Sequence, residues 1–300
     1  MQLTVDGKTV EAQKGQSLRE LVCGLGLDRE QLSQRPLAAR IAGEVFTLNY
    51  IPLRDKDGEG DRPSMRRAMA ASGGNIRLLR IRDSAGRDVY VRTGQFVVFL
   101  ALGQLWPEAV STMDCTLGSS VFISVTGAKD FSVSRLKAQV EQIVAQDIPL
   151  LRHRAKKEEA IARFAAEGQG DKARLLQWRS LEYCSEYSYG DYTDNFYGEM
   201  APSTGYLSVW DILPADGGFL FVYPDELEPD RPAKLSPMPQ FFSVFSEGER
   251  WCRLMDCENV ADLNELTASG KIRELIRVNE ALHEKRFSQV ADMVCSRGAK

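Results

Sequence analysis

The chain has 300 residues, the length of about two domains. Its 38 lysines and arginines stand against 42 aspartates and glutamates, a net charge of −4 that excludes a uniformly basic nucleic-acid coat protein. The longest apolar run, residues 96–102, is far shorter than the roughly 20 residues of a membrane span, and residues 1–16 lack the pattern of a signal peptide. Six cysteines without a CxxC pair predict reduced thiols, and hence a cytoplasmic protein with no membrane contact.

Charge is unevenly distributed along the chain. Between Arg62 and Arg92 eight arginines accompany two aspartates, whereas between Glu182 and Arg231 eleven acidic residues accompany one arginine. The two segments can neutralise each other in the fold, or the basic segment can bind a phosphate-bearing partner. The candidates for binding phosphate or nucleic acid are Arg77, Arg80, Arg82 and Arg87.

The first fifty residues predict a small α+β unit. Residues 3–10 predict a β-hairpin, because their central Asp-Gly pair favours a type I′ turn, and residues 38–47 predict a second one. Between them, Ser17 and Glu20 have the spacing of a helix capping box. Hairpin, helix and hairpin in this order are typical of a β-grasp fold. The polar stretch 55–64 predicts the domain boundary that follows.

The rest of the chain alternates between strand and helix patterns. Residues 78–91 predict another hairpin, and Thr93 is a residue type that can cap a helix ending at Leu105. The remaining predicted elements are strands 110–117 and 121–126, helices 134–146, 156–166 and 171–178, strands 219–223 and 241–245, and helices 260–266, 272–282 and 287–294.

The sequence offers little that resembles a metal site or a set of catalytic residues. Neither histidine, His153 or His283, has another histidine or a cysteine at metal-ligand spacing, which argues against a zinc hydrolase. Seven aromatic residues gather between Tyr183 and Tyr206, and they fit either stacked nucleobases or a core of hydrogen-bonded tyrosines. No nucleophile, base and orienting acid come together, so no catalytic residue and no metal ligand are predicted.

Several segments resemble known modules. Residues 37–44, which read Leu-Ala-Ala-Arg-Ile-Ala-Gly-Glu, are similar to a hairpin of the TGS domain, the β-grasp module of threonyl-tRNA synthetase and some GTPases. Val-Arg-Thr at 91–93 and Gln-Leu-Trp-Pro at 104–107 bracket a helix. With residues 147–149 and 157–160 they resemble the second additional domain, an editing domain, of threonyl- and alanyl-tRNA synthetases.

A third resemblance covers the second half of the chain. Residues 190–198 and 202–206, with 260–264 and 280–285, look like the N-terminal half of bacterial uridine-kinase-like proteins, in which both modules precede a P-loop kinase. This implies a C-terminal kinase domain as partner. ATP and Mg²⁺ would bind that domain, and no cofactor is expected in this chain. Because no GxxxxGK[ST] loop follows the final helices, we expect a shortened version or a separate half of such a protein.

Together the resemblances imply an α+β fold of three parts. These are a TGS-like β-grasp domain at 1–60, a synthetase editing-type domain of antiparallel sheets and helices at 61–250, and a helical linker at 251–300.

The editing chemistry of the synthetase family is expected to be absent. That family carries a His-x-x-x-His pair, and counting back from residues 104–107 puts Arg92 and Phe96 at its two positions. Its Cys-Arg-Gly-Pro-His run is expected between Met200 and Pro202, where only Ala201 stands. Arginine and phenylalanine cannot serve as base or metal ligand, although arginine can hold a phosphate or carboxylate. The residues expected to line the degenerate pocket are Arg92, Thr93, Phe96, Asp191, Tyr192, Asp194, Ser203 and Thr204.

These observations predict a non-catalytic regulatory or ligand-binding region of a nucleoside-kinase-like protein, which binds a small nucleotide or an RNA end such as that of tRNA. One alternative is an aminoacyl-tRNA deacylase that uses other residues. Another is a structural dimerisation module formed by the apolar helices at 272–294. Binding of tRNA that weakens steeply with salt would favour the RNA ligand over the nucleotide.

Overall fold

The computed structural model describes residues 2–29, 31–52, 63–190, 192–236 and 239–298. Backbone contacts divide the chain into two units. Unit 1 comprises Met1–Arg154 with Ser185–Leu235, and unit 2 comprises Ala155–Cys184 with Ser236–Lys300. The predicted domain boundaries at residues 60 and 250 stay a prediction, and most of the predicted boundary stretch 55–64 lies outside the described residues.

Helices and mainly antiparallel sheets confirm the α+β class. The first elements are β1 (Gln2–Val5), β2 (Lys8–Glu11), α1 (Leu18–Gly24), β3 (Ala38–Ile41), β4 (Glu44–Thr47), α2 (Pro63–Ser72), β5 (Asn75–Leu79), α3 (Ser84–Leu105), β6 (Val110–Leu117), β7 (Ser120–Thr126) and α4 (Val133–Ala145). They are followed by β8 (Arg152–Lys156), α5 (Lys157–Ala166), α6 (Gly170–Gln177), β9 (Tyr183–Tyr189), β10 (Tyr192–Asn195), β11 (Asp211–Ala215), β12 (Gly218–Val222), α7 (Pro239–Leu254), α8 (Val260–Ala268) and α9 (Ile272–Ser296).

The first sheet has five strands in the order β2-β1-β5-β3-β4. Both predicted hairpins are confirmed, and the turn between β1 and β2 has positive φ at Asp6 (+46°) and Gly7 (+78°), as a type I′ turn requires. The capping box of α1 is also confirmed: Ser17 Oγ accepts from the Glu20 amide at 3.2 Å, and the Glu20 carboxylate accepts from the Ser17 amide at 2.7 Å. Strand β5 runs parallel to β1 and extends this sheet beyond residue 60.

Residues 78–91 do not form the predicted hairpin. They begin in β5 and continue into α3, whose N-cap is Asp83, so Thr93 lies inside the helix and does not cap it. The predicted end of this helix at Leu105 is confirmed. Half of its 22 residues are buried, so its apolar side chains do not mark a single face and the helical period is obscured. Gly86 permits the tight turn from β5 into α3, because a Cβ there would lie 2.0 Å from the carbonyl oxygen of Arg80.

The second sheet of unit 1 has the order β11-β12-β7-β6, and α3 packs against it. The contact is close at Gly94 of α3, where a Cβ would lie 2.5 Å from the ring of Phe221 on β12. Helix α4 packs beside α3 and buries Leu136, Val140 and Ile143, as its apolar spacing predicts. A third sheet joins the strands in the order β10-β9-β8.

Unit 2 is helical, and two predictions in it are wrong. Residues 241–245, predicted as a strand, belong to helix α7, and the two helices predicted at 272–282 and 287–294 are one helix, α9, because no glycine or proline interrupts residues 283–286. The other predicted helices and strands from residue 110 onward are confirmed within about two residues. In the described part of the chain, no helix is both long and apolar enough to span a bilayer.

Candidate functional site

Helix α3 carries three of the predicted pocket residues, Arg92, Thr93 and Phe96, and it lies beside the segment that precedes Pro202. Thr93 is fully buried, and its hydroxyl donates to the Val89 carbonyl at 2.8 Å and accepts from the Ala201 amide at 2.9 Å. Because both bonds are made within the chain, Thr93 attaches residues 199–202 to the helix.

Arg92 lies one residue earlier on α3 and reaches the same segment. Its Nη1 donates to the Glu199 carbonyl oxygen. Gly198 has φ of +130°, and a Cβ there would lie 2.8 Å from the Arg92 Cζ atom. The positive φ favours glycine at position 198, and without a Cβ there the Arg92 guanidinium packs directly against this backbone.

Phe96, one turn further along α3, is surrounded by rings. Its ring centroid lies 5.5 Å from that of Tyr192, 6.1 Å from that of Phe196 and 6.4 Å from that of Tyr187, each in an edge-to-face arrangement. Phe96 and Tyr187 are almost completely buried. We call these four residues the aromatic cluster. It fills the space between α3 and the sheet of β9 and β10 with apolar surface.

The remaining predicted pocket residues are held in two places. Tyr192 donates from its hydroxyl to Asp194 Oδ2 at 3.3 Å, beside the aromatic cluster. Thr204 donates to the Ile143 carbonyl at 2.8 Å and accepts from the Ile148 amide at 2.9 Å, so it fastens the end of α4. Ser203, also buried, donates to Asp147 Oδ1. The predicted residue Asp191 lies outside the described residues.

A buried charge network behind Arg92 was not predicted. Glu199 is 3% exposed, and its carboxylate accepts from Arg152 Nη1 at 2.5 Å and from the Tyr187 hydroxyl at 3.3 Å. Burial raises the pKa of Glu199, against the opposing effect of the Arg152 charge. Burial likewise raises the pKa of the Tyr187 phenol. No local pattern in the sequence marks this network, because its members come from β8, β9 and the segment after β10.

The predicted phosphate-binding arginines form ion pairs instead of an open basic hairpin. Arg77 pairs with Asp83 at 2.7 Å, Arg80 pairs with Asp6 at 3.1 Å, and Arg87 pairs with Glu226. Arg82 is exposed. Three of the four predicted phosphate-binding arginines are therefore paired with carboxylates within unit 1.

A cleft of about 390 Å³ runs along the first turns of α3. Its other walls are the β6–β7 hairpin and the loop after β12. The polar residues that line it are Arg87, Asp88, Arg92, Gln95, Thr116, Tyr223 and Glu226. Arg92 was predicted as a pocket residue and Arg87 as a phosphate-binding residue, whereas Tyr223 was not predicted, because only the fold brings it to α3.

A serine and a histidine lie close together on β9 and β8. Ser188 Oγ is 3.2 Å from His153 Nε2, and the buried carboxylate of Glu186 is 3.6 Å from the same nitrogen. In a serine–histidine–acid site the acid and the serine contact different ring nitrogens. This arrangement therefore lacks the geometry in which the acid orients the base. No group of three or more potential metal ligands occurs among the described residues.

Comparison with known proteins identifies relatives over most of the chain. No protein-family model matches it. It is 25% identical over 218 residues to a threonine–tRNA ligase of Symbiobacterium thermophilum, covering 71% of this chain and 30% of the ligase. It is 26% identical over 192 residues to the threonine–tRNA ligase of Methylococcus capsulatus, covering 63% of this chain and 27% of the ligase. The chain is thus homologous to part of these ligases and spans less than a third of their length.

Proposed function

We propose that the chain is a non-hydrolytic relative of the editing region of threonine–tRNA ligases, which keeps the scaffold of that region as a ligand-binding module. The observation that carries the proposal is the aromatic cluster around Phe96. At this position the resemblance to the synthetase family implies a histidine. A fully buried phenyl ring supplies no base and no metal ligand, and the rings of Tyr192 and Phe196 pack against its edges.

A second stretch beside Arg92 and Phe96 supports the same conclusion. Residues 196–200 read Phe-Tyr-Gly-Glu-Met, and we match Gly198 to the glycine of the synthetase run Cys-Arg-Gly-Pro-His. On this matching the run is replaced, rather than missing between residues 200 and 202 as the sequence first suggested. Its cysteine and histidine then correspond to Phe196 and Met200, so all four ancestral polar groups are substituted.

The finer parts of the assignment depend on different observations. In the first sheet β5 lies between two hairpins and runs parallel to β1 and antiparallel to β3, which supports a TGS-like β-grasp domain at the start of the chain. The link to a nucleoside kinase, with its ATP and Mg²⁺, depends on the sequence resemblance alone, because the relatives named above are ligases. Within such a protein the module would bind a nucleotide or an RNA end and act as a regulatory region.

A deacylase is the second candidate, because Ser188 Oγ lies 3.2 Å from His153 Nε2, within the distance at which a base accepts a proton from a nucleophile. For Ser188 to be activated, His153 Nε2 must accept its proton, yet the same nitrogen faces Glu186. The acid thus contacts the nitrogen that would have to accept the serine proton, and it does not contact the other ring nitrogen, through which it would orient the base. The geometry therefore favours the non-hydrolytic module.

A hydrolysis assay tests the proposal. Purified chain is incubated with serine-charged threonine tRNA, with an editing threonine–tRNA ligase as positive control and buffer as blank. We expect loss of the ester at the rate of the blank. Hydrolysis by the wild-type chain that disappears in Ser188→Ala or in His153→Gln would contradict the proposal and establish the deacylase.

A further inference from the structure

The cleft along α3 contains a positive charge that lacks a dedicated counter-ion. Arg92 is half-buried, and its one hydrogen bond goes to a neutral carbonyl oxygen, that of Glu199. Among the described residues no carboxylate lies within ion-pair distance of it; the nearby Glu199 carboxylate is bound by Arg152. A guanidinium has five N–H donors, and Arg92 lines the cleft with only one hydrogen bond made to the protein, so it can still donate to a ligand there.

The Tyr223 side chain contributes a second available donor. It is 5% exposed, it lines the same cleft, and no described residue accepts a hydrogen bond from its hydroxyl. The hydroxyl oxygen is accessible from the cleft, so a ligand or water there can accept its hydrogen bond. Burial raises the pKa of Tyr223 to about 12, which keeps the phenol protonated and able to donate at neutral pH.

Arg87 completes the donor set. Its Nη2 donates to the Pro224 carbonyl at 3.0 Å, and its Nη1 is paired with Glu226, whose side chain is 73% exposed. An ion pair with such an exposed carboxylate is weak, so a phosphate group, which carries more negative charge, can take its place. The amide of Gln95 and the carboxylate of Asp88 lie along the same wall and can bind hydroxyl groups of a ligand.

We propose that this cleft binds a small phosphomonoester, of the size of a nucleoside monophosphate, with its phosphate held by Arg92, Arg87 and the hydroxyl of Tyr223. Three donor groups match the several oxygens of a phosphomonoester, and about 390 Å³ is within the range of small-molecule sites. This inference rests on the proposed function and specifies its ligand. It favours a small nucleotide over RNA, because Arg77 and Arg80 are neutralised by Asp83 and Asp6.

Isothermal titration calorimetry on the full chain tests the site. The probes are uridine 5′-monophosphate and adenosine 5′-monophosphate, with uridine, adenosine and inorganic phosphate as comparisons. We expect at least one monophosphate to bind, and more tightly than its nucleoside or phosphate alone. Tyr223→Phe removes only the hydroxyl and should weaken binding about tenfold, and Arg92→Met should weaken it by at least as much.

Arg82→Met is the matched control, since it removes the same charge from an exposed position outside the cleft. It should leave the affinity unchanged. The inference is overturned if neither monophosphate binds at millimolar concentration, if Tyr223→Phe binds as the wild type does, or if Arg82→Met loses as much affinity as Arg92→Met. Binding of tRNA that depends on Arg82 and not on Tyr223 would also overturn it, in favour of an RNA surface. Failure of the proposed function would appear as ester hydrolysis and would leave these titrations unaffected.

Discussion

Single side chains in this protein hold segments that are distant in sequence. Thr93 is the clearest case, because one hydroxyl satisfies the amide of Ala201 from the middle of α3. The sequence marks Thr93 as a pocket residue, and its neighbours on the helix do line a cleft. Its own hydroxyl, however, is already used by the backbone on both sides. A threonine next to a site can therefore be required for the shape of that site without touching the ligand.

Replacement of Thr93 by valine tests this interpretation. The shape of the side chain is kept, but the buried Ala201 amide loses its acceptor, so we expect a loss of about 1–3 kcal/mol of unfolding free energy. Thr93→Ser keeps the hydroxyl and should lose less. Urea unfolding of both variants measures the difference. Equal stability of wild type and Thr93→Val would mean that the Ala201 amide finds another acceptor.

Glu199 should make stability depend on pH. Burial raises its pKa above the ordinary value of 4.5, so the folded chain binds this proton more tightly than the unfolded chain does. Its stabilising contribution is therefore complete below pH 4.5 and is lost as the pH rises through the raised pKa. Relative to Glu199→Gln, which does not titrate, the wild type should become less stable between pH 4 and pH 7.

Urea unfolding of the two proteins across this range measures the effect, and other titrating groups cancel in the comparison. Glu108→Gln, at an exposed position, is the control and should follow the wild type. A stability difference that grows in favour of the wild type as the pH rises would show that Arg152 lowers the pKa of Glu199 by more than burial raises it.

At the scale of helices and strands, short sequence motifs correctly predicted the turns and helix ends that neighbouring residues stabilise. The Asp6-Gly7 turn and the Ser17 capping box depend on backbone preferences and hydrogen bonds within four residues, and both are present. The hairpin predicted at 78–91 is wrong because burial of α3 on several sides removes the helical period from its sequence. Tertiary packing decides that segment, and it cannot be read from a window of neighbouring residues.

In the candidate site, too, residues on one helix were predicted from the sequence, and residues brought together by tertiary packing were not. Arg92 and Phe96 were found because they lie at a fixed spacing on one helix, before the residues at 104–107 that mark its end. Glu199 and Tyr223 were missed because the chain must fold before either approaches α3. A motif on one element is visible in the sequence, whereas a pocket wall built from three elements is not.

Two of the three glycines of α3, Gly94 and Gly103, give a test of how this helix packs. A Cβ at Gly94 would lie 2.5 Å from the Phe221 ring, so Gly94→Ala should push the helix from β12 and cost about 1–3 kcal/mol of unfolding free energy. At Gly103 the nearest atom, on Tyr192, would be 3.9 Å away. Gly103→Ala should therefore gain up to about 1 kcal/mol from helix propensity. Thermal or urea unfolding measures both changes, and destabilisation of equal size in the two variants would contradict the packing described here.

At the scale of the whole molecule, the segment around Tyr206 forms the contact between the N-terminal part of unit 1, which contains the first sheet, and the rest of the unit. We call this contact the joint. The guanidinium of Arg35 lies 3.8 Å from the centre of the Tyr206 ring, donates to the Gly205 carbonyl at 3.4 Å and is paired with Asp28 at 3.0 Å. Nearby, the Asn49 amide donates to the Pro202 carbonyl at 2.8 Å. The segment at 202–206, which carries a sequence motif, thus serves as the attachment point of the N-terminal sheet.

This joint predicts that the two parts of unit 1 unfold together. Arg35→Ala removes a partly buried cation–π contact and an ion pair, so we expect a loss of about 1–3 kcal/mol. Hydrogen exchange measured by mass spectrometry should become faster both in residues 31–52 and in residues 203–212. Arg29→Ala, at an exposed position in the same segment, should change neither. Faster exchange confined to residues 31–52 would mean that the first sheet opens on its own, as an independent domain does.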